Sequence, residues 1–405
     1  MNAATSVLVL LVACNLFKYM DRLLIAPILP LIGREFNASD IELGAMASAF
    51  MLVYMFAAPL WGLAVRPGRR VGFLAAGIAI GGIATVGAGF ARSLTALVIS
   101  RSLLGIGQAG FTAVAPAFLA ENYPAEKRSS ILSFYEAAIP VGSAIGFILG
   151  GWVGHHWGWR AAFLGAGIGT LLFLPLFARL RDPLGGKSDV TESRSRPSDY
   201  LRLYRIPSYT AASFSQAAIT FTIGGLGLWI PSYLFREYGL DTAQAGIVFG
   251  AVTVIGGLFG ALTGGWLATR LRQTNPGADF LISGIGLLAA VPFGIGALFT
   301  PSQPLALVLF FIAEVCIFLH MGPLSSIIVA TVPAAKRALG FAANIFVLRL
   351  FGDALSPILI GAGSEAWGLR SALTGALMPL LLGGVLCLWG SRRLGTDTAN
   401  AAAHA

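Results

Sequence analysis

Long apolar runs joined by short polar connections make up nearly the whole chain. A helix needs about 20 apolar residues to cross the hydrocarbon core of a bilayer. Twelve segments reach that length, at roughly 5–32, 43–65, 71–91, 94–120, 128–154, 160–180, 207–235, 243–269, 279–299, 303–331, 338–364 and 370–391. The pattern predicts an all-α membrane protein with 12 transmembrane helices. The apolar stretch from Val7 to Phe17 has no basic region before it and no small-residue cleavage site after it. It reads as a retained first helix and not as a signal peptide.

An even number of crossings puts both termini on one side. With that side cytoplasmic, 18 of the 27 Lys and Arg residues fall in cytoplasmic connections. Only Arg34, Arg92, Arg160, Arg236 and Arg370 fall in the opposite loops. This bias predicts cytoplasmic termini. The longest polar stretch, near the middle of the chain, reads as a flexible linker. The expected organisation is a six-helix bundle at 1–180, a cytoplasmic linker at 181–206, a second bundle at 207–391 and a cytoplasmic tail at 392–405.

Composition narrows the class. Hydrophobic residues are 56% of the chain and charged residues 11%, against about 25% charged in a typical soluble domain. The net charge of +9 would suit a nucleic-acid binder, but the positive residues lie in short loops between apolar runs, so no nucleic-acid partner is expected. Cys14, Cys316 and Cys387 all fall within apolar segments and read as small core hydrophobes. Gly105-Ile106-Gly107 lacks the strand-turn-helix setting of a phosphate loop. No nucleotide motif, Ser-His-Asp set or metal-ligand spacing stands out, which predicts neither an enzyme nor a cofactor or metal.

The two halves repeat. Leu63-Ala64 and Arg66 recur as Leu267-Ala268 and Arg270, and Pro124-Ala125-Glu126-Lys127-Arg128 recurs as Pro333-Ala334-Ala335-Lys336-Arg337. Trp157-Gly158-Trp159-Arg160 recurs as Trp367-Gly368-Leu369-Arg370. Six helices per half give both repeats one orientation. Parallel six-helix repeats around a midplane cavity resemble the major facilitator superfamily.

Within that superfamily the motifs resemble the Spinster branch. They are Asn15 with Met20-Asp21-Arg22, the run from Arg101 to Gln108, Ala115-Pro116, and Ile139 to Ser143. Thr220-Phe221, Gly224 to Leu226, Trp229, Pro231, Tyr233, Arg236, Gly352 to Ala354, Ser356-Pro357 and Gly361 continue the match. The resemblance implies a transporter of lysophospholipids or sphingoid-type lipids, with proton coupling. The chain departs from the family pattern at Gln108, where Glu is usual, at Arg349, where His is usual, and at His320, where Asn is usual. Val65 and Thr269 replace the superfamily's loop aspartates.

Charges at membrane depth cost roughly 2.5–3.5 kcal/mol each on insertion scales and usually face a cavity or a partner. Candidate proton-coupling carboxylates are Asp21, Glu136, Glu314 and Asp353. Asp21 leads, as it lies mid-helix between Lys18 and Arg22; the plainer alternative is a fixed ion pair from helix 1 to helix 4. Arg101 and Gln108 are seven apart and share a face. Arg349 and Asp353, at i,i+4, can pair within one helix. Arg22, Arg101, Gln108, His320 and Arg349 are candidates for a polar head group, and Phe221, Trp229 and Tyr233 for an apolar tail. Packing or lipid contact would equally explain those aromatics. Gly142, Gly146 and Gly150, and Gly256, Gly260 and Gly264, form two small-xxx-small packing faces. The expected protein is a monomeric, multi-pass carrier in a bacterial inner membrane, exchanging an amphiphile and a proton or another ion. A carrier of small organic anions or drugs is the alternative cargo, and a channel or receptor the alternative class.

Overall fold

The structure, a computed structural model, describes residues 3–65, 68–123, 131–132, 134–136, 138–178, 180, 202–332 and 337–403. The proposed linker falls almost wholly outside them. Every regular element among the described residues is a helix. α1 comprises Ala3–Leu23 and Ile25–Phe36, and α2 is Asp40–Ala64. α3 is Arg70–Gly89 and α4 is Leu94–Glu121. α5 and α6 share the run Ala138–Leu171, bent at Gly158. α7 is Pro207–Tyr238, α8 Thr242–Leu271 and α9 Ala278–Phe299. α10 comprises Gln303–Phe318 and Met321–Thr331. α11 runs through Arg337–Leu348, a π-helical turn at Arg349–Asp353, and Ser356–Trp367. α12 is Leu369–Ser391, and a short α13, Leu394–Ala403, ends the described chain.

Ten runs among the described residues are long and apolar enough to cross a membrane. One of them, Phe134–Phe177, contains both α5 and α6. α1 is not among the ten; its first piece is long enough but carries Lys18, Asp21 and Arg22. With α1, and with α5 and α6 counted separately, the twelve-helix expectation is met.

Three expected single helices are interrupted, and each interruption has a proline after it. Proline lacks an N–H, and its ring clashes with the carbonyl four residues back. Pro27 stands four after Leu23, where the first piece of α1 ends. Pro323 stands four after Leu319, where α10 breaks. Pro357 stands four after Asp353, the last residue of the π turn. Ser39 sets the start of α2 with a capping box: its hydroxyl accepts from Glu42 N at 3.3 Å, and Glu42 Oε2 accepts from Ser39 N at 2.9 Å.

The repeat is visible in the backbone. Gly158 has φ 81° and ψ 160°, and its counterpart Gly368 has φ 81° and ψ 152°. Side-chain-bearing residues are strained in that region, so both halves need glycine at the same corner.

The chain divides into two compact units. The first is Met1–Thr191 with Gly227–Ala251; the second is Glu192–Leu226 with Val252–Ala405. In the first, the small-residue face of α5 lies on α1. A Cβ on Gly142, Gly146 or Gly150 would come 2.4, 2.4 or 2.2 Å from the carbonyl oxygen of Leu16, Met20 or Leu24. In the second, α8 meets α10 in the same manner. A Cβ on Gly260 or Gly264 would lie 2.5 or 2.2 Å from the carbonyl oxygen of Val315 or Leu319. Such approach maximises dispersion contact where lipid offers no hydrophobic gain. Gly105 and Gly107 sit inside α4, against the backbones of α2 and α3; they are packing residues.

Candidate functional site

The first unit gathers its polar residues between α1, α3 and α4. Asp21 is 2% exposed and Arg101 3%. Arg101 Nη1 donates to Asp21 Oδ1 at 3.2 Å, and Thr85 Oγ1 donates to Asp21 Oδ2 at 2.5 Å. Both carboxylate oxygens are therefore satisfied. Arg101 also reaches the main-chain oxygen of Arg22, at 3.4 Å. It lies between the rings of Phe50 and Phe163, at 5.7 and 5.5 Å. This is the α1–α4 ion pair that the sequence offered as the plainer alternative. It does not exclude proton exchange, because a carboxylate bound to a positive group in one state can be released in another.

One turn before Asp21, Lys18 Nζ donates to Thr112 Oγ1 at 3.0 Å and faces the Tyr19 ring at 4.6 Å. Gln108 Nε2 donates to the Lys18 carbonyl at 3.2 Å. Arg101 and Gln108 thus do share one face, as their spacing requires, and that face meets α1. Arg22 points elsewhere: its Nη2 lies 3.3 Å from Met51 Sδ, and its guanidinium faces Tyr19 and Phe50. A small cavity lined by Cys14, Lys18, Asp21, Gln108, Phe111 and Thr170 has room for about one water molecule. Glu136 is exposed on the stretch before α5. Among the described residues no hydrogen bond or ion pair joins it to Asp21.

Trp229 and Tyr233, also in the first unit, are both 0% exposed. They face neither lipid nor open space, so a substrate tail reaches them only if the surrounding helices move.

The second unit holds the remaining candidates. Arg349 Nη1 pairs with Asp353 Oδ2 across the π turn, as the i,i+4 spacing suggested. Gly224 of α7 packs on this pair, its Cβ direction pointing at Asp353 Oδ1. Phe221 is half-buried one turn earlier. Glu314 Oε1 accepts from Thr253 Oγ1 at 3.1 Å, while Oε2 is buried and has no hydrogen-bond partner among the described residues. His320 sits in the break of α10, its Nδ1 2.6 Å from the Ile317 carbonyl. A carbonyl only accepts, so Nδ1 carries the hydrogen.

Sequence reasoning missed several partners. Thr85 and Thr112 gave no signal, since a threonine in an apolar helix is ordinary. Asp279 was missed too. It is 5% exposed and takes Arg272 Nε at 2.9 Å and Ser326 Oγ at 2.8 Å. It thereby ties the end of α8 to α9 and α10.

Comparison with known proteins follows this geometry. The Major Facilitator Superfamily profile matches residues 11–352. Protein spinster homolog 1 of Xenopus laevis is 32% identical over 388 residues, covering 89% of this chain and 72% of the relative. The Homo sapiens protein of the same name is 31% identical, covering 90% and 74%. The sphingosine-1-phosphate transporter SPNS2 of Danio rerio is 31% identical, covering 92% and 81%. Among solved structures, a bacterial homologue of the human lysosomal transporter Spinster, inward-facing and unoccupied, superposes with a TM-score of 0.88 at 23% identity, over 98% of each chain. A D-xylose-proton symporter superposes with a TM-score of 0.73 at 18% identity, over 95% and 97%, a likeness of fold alone. Repeat, helix count, motif residues and relatives agree: this chain is a multi-pass membrane transporter of the Spinster branch of the major facilitator superfamily.

Proposed function

We propose that the chain is an alternating-access carrier of an amphiphilic anion, a lysophospholipid or sphingoid-type lipid, driven by a proton gradient. The supporting observation is the buried Asp21–Arg101–Thr85 cluster, in a chain 31% identical to a relative that transports sphingosine 1-phosphate. Asp21 is the leading coupling carboxylate; Glu314, Glu136 and Asp353 are further candidates. Arg22, Arg101, Gln108, His320 and Arg349 are assigned to the head group, and Phe221, Trp229 and Tyr233 to the tail. The chain sits in a cell inner membrane with both termini cytoplasmic, and works as a monomer of two bundles, 1–180 and 207–391.

The physical case is that a buried carboxylate must be neutralised either by a cation or by a proton. A cycle that separates Asp21 from Arg101 forces Asp21 to take up a proton, and re-forming the pair releases it. The test is flux of a labelled lysophospholipid into proteoliposomes under an imposed pH gradient. Asp21→Asn is expected to lose at least tenfold of the gradient-stimulated flux, which corresponds to about 1.4 kcal/mol. Breaking one side of a buried pair costs roughly 3–5 kcal/mol of stability, so flux is compared only for protein that remains monodisperse, with Asp21→Glu alongside. Equal stimulation in wild type and Asp21→Asn moves the proton to Glu314 or Glu136. No lipid flux from competent protein overturns the cargo and favours small organic anions.

A further inference from the structure

Three cations and one carboxylate meet on facing turns of α1 and α4: Lys18, Arg22 and Arg101 against Asp21. Asp21 and Arg101 satisfy each other at 3.2 Å, and Thr85 takes the second carboxylate oxygen. Gln108 donates to the Lys18 carbonyl and brings no charge. The balance of these four ionic groups is positive, and the excess lies on Lys18 and Arg22. The two stand at i,i+4, where Cβ atoms are about 6 Å apart and like charges repel. An excess of that kind at membrane depth calls for a counter-charge. The Tyr19 ring joins the two cations: Lys18 Nζ is 4.6 Å from its centroid and Arg22 Cζ 5.8 Å. Lys18 also donates to Thr112 Oγ1 at 3.0 Å, and that hydroxyl donates its own hydrogen to the Gln108 carbonyl at 2.9 Å. Arg22 Nη2 lies 3.3 Å from Met51 Sδ, with the Phe50 ring at 5.7 Å. A hydroxyl, a thioether and ring faces are weaker acceptors than an anionic oxygen and yield to one. The cavity beside Asp21 has room for about one water, so a head group approaches from the other side, where Tyr19 and Arg22 are half-buried.

We propose that Lys18 joins Arg22 in a two-cation head-group site, and that Lys18 makes this site prefer a phosphate monoester to a zwitterionic phosphodiester. The proposal rests on the carrier reading above and narrows its cargo. A phosphate monoester carries between about −1.5 and −2 at neutral pH and offers three strong acceptor oxygens. That is enough to engage the planar fork of Arg22 and the point charge of Lys18 together. A phosphodiester carries a single negative charge, and in a choline or ethanolamine lipid a cation follows it. Held between Lys18 and Arg22, that cation meets two like charges, which is how a site rejects the wrong ligand. The plainer role for Lys18 is to tie α1 to α4 through Thr112. A tie of that kind acts on every ligand alike and gives no preference between heads.

The experiment compares two radiolabelled probes with the same oleoyl chain, lysophosphatidate and lysophosphatidylcholine, bound to the full chain in detergent. The wild type is expected to bind lysophosphatidate about tenfold more tightly, the gain from one charge-assisted contact. Lys18→Gln is expected to bring that ratio down to about twofold, and Lys18→Arg, which keeps the charge, to retain it. Lys18→Met replaces Lys18→Gln if the latter does not stay monodisperse. Both probes see the same protein, so general damage weakens them together and leaves the ratio in place. No preference for lysophosphatidate in the wild type, or a ratio untouched by loss of the Lys18 charge, overturns the proposal. Glycerol phosphate, the same head without a tail, separates this site from the cargo. If the preference holds and glycerol phosphate competes as well as lysophosphatidate does, the two-cation site stands and the lipid cargo falls. If the preference holds and glycerol phosphate does not compete, both stand.

Discussion

At the residue scale, two glycines make the clearest claim. Gly158 and Gly368 lie 210 positions apart with the same φ of 81°. Nothing lies within 4 Å of the Cβ position of either, so backbone strain and not crowding dictates the residue. Gly158→Ala and Gly368→Ala are each expected to lower stability by roughly 1–3 kcal/mol, read as a lower unfolding midpoint in detergent. A midpoint within error of wild type for both would mean that the corners relax freely. The motif Trp-Gly-x-Arg was legible in the sequence as a repeat, but its reason, a shared left-handed corner, was not. Glu35 shows a similar gap. It accepts from Trp159 Nε1 and Arg160 Nη1, both at 2.7 Å, and the Arg160 hydrogen bond holds its carboxyl below the usual range.

At the element scale, helix positions followed from apolar length, whereas their interruptions followed from proline. α13 was not foreseen as a helix at all, because Leu394–Ala403 was assigned to a cytoplasmic tail. Its Asp397 Oδ2 accepts from Ser208 N at 2.8 Å. That amide belongs to the first turn of α7, where helical N–H groups lack internal partners. Asp397→Ala is expected to cost about 0.5–2 kcal/mol, as loss of a cap does. A chain ending at Arg393 should lose at least as much. Thermal unfolding of the two variants checks this; no change in either would make α13 dispensable. The π turn at Arg349–Asp353 was likewise hidden, since an i,i+4 charge pair reads the same in an ordinary helix.

At the scale of the whole molecule, the charge bias makes a prediction independent of cargo. Arg392 and Arg393 follow α12, and few positive residues lie in the opposite loops. A reporter fused after Ala405 that is active only in the cytoplasm is expected to be active. Activity of a periplasm-only reporter at the same place would invert the topology and put Arg236 and Asp40 on the cytoplasmic face.

The sequence by itself determined the membrane class, the twelve helices, the duplication and the branch of the superfamily. Those properties rest on apolar length, period and local motif, which survive in one dimension. It also marked Asp21 and Arg101 as significant, since charges at membrane depth are too costly to be incidental. The tertiary structure decided which charges meet. Asp21 is 80 positions from Arg101 and 64 from Thr85, and no local rule selects Arg101 over the adjacent Arg22. The same holds for Asp279 with Ser326 and for Asp40 with Arg236, 196 positions apart. Pairing between distant helices is set by how glycine faces bring backbones together, and that is a property of the packed molecule.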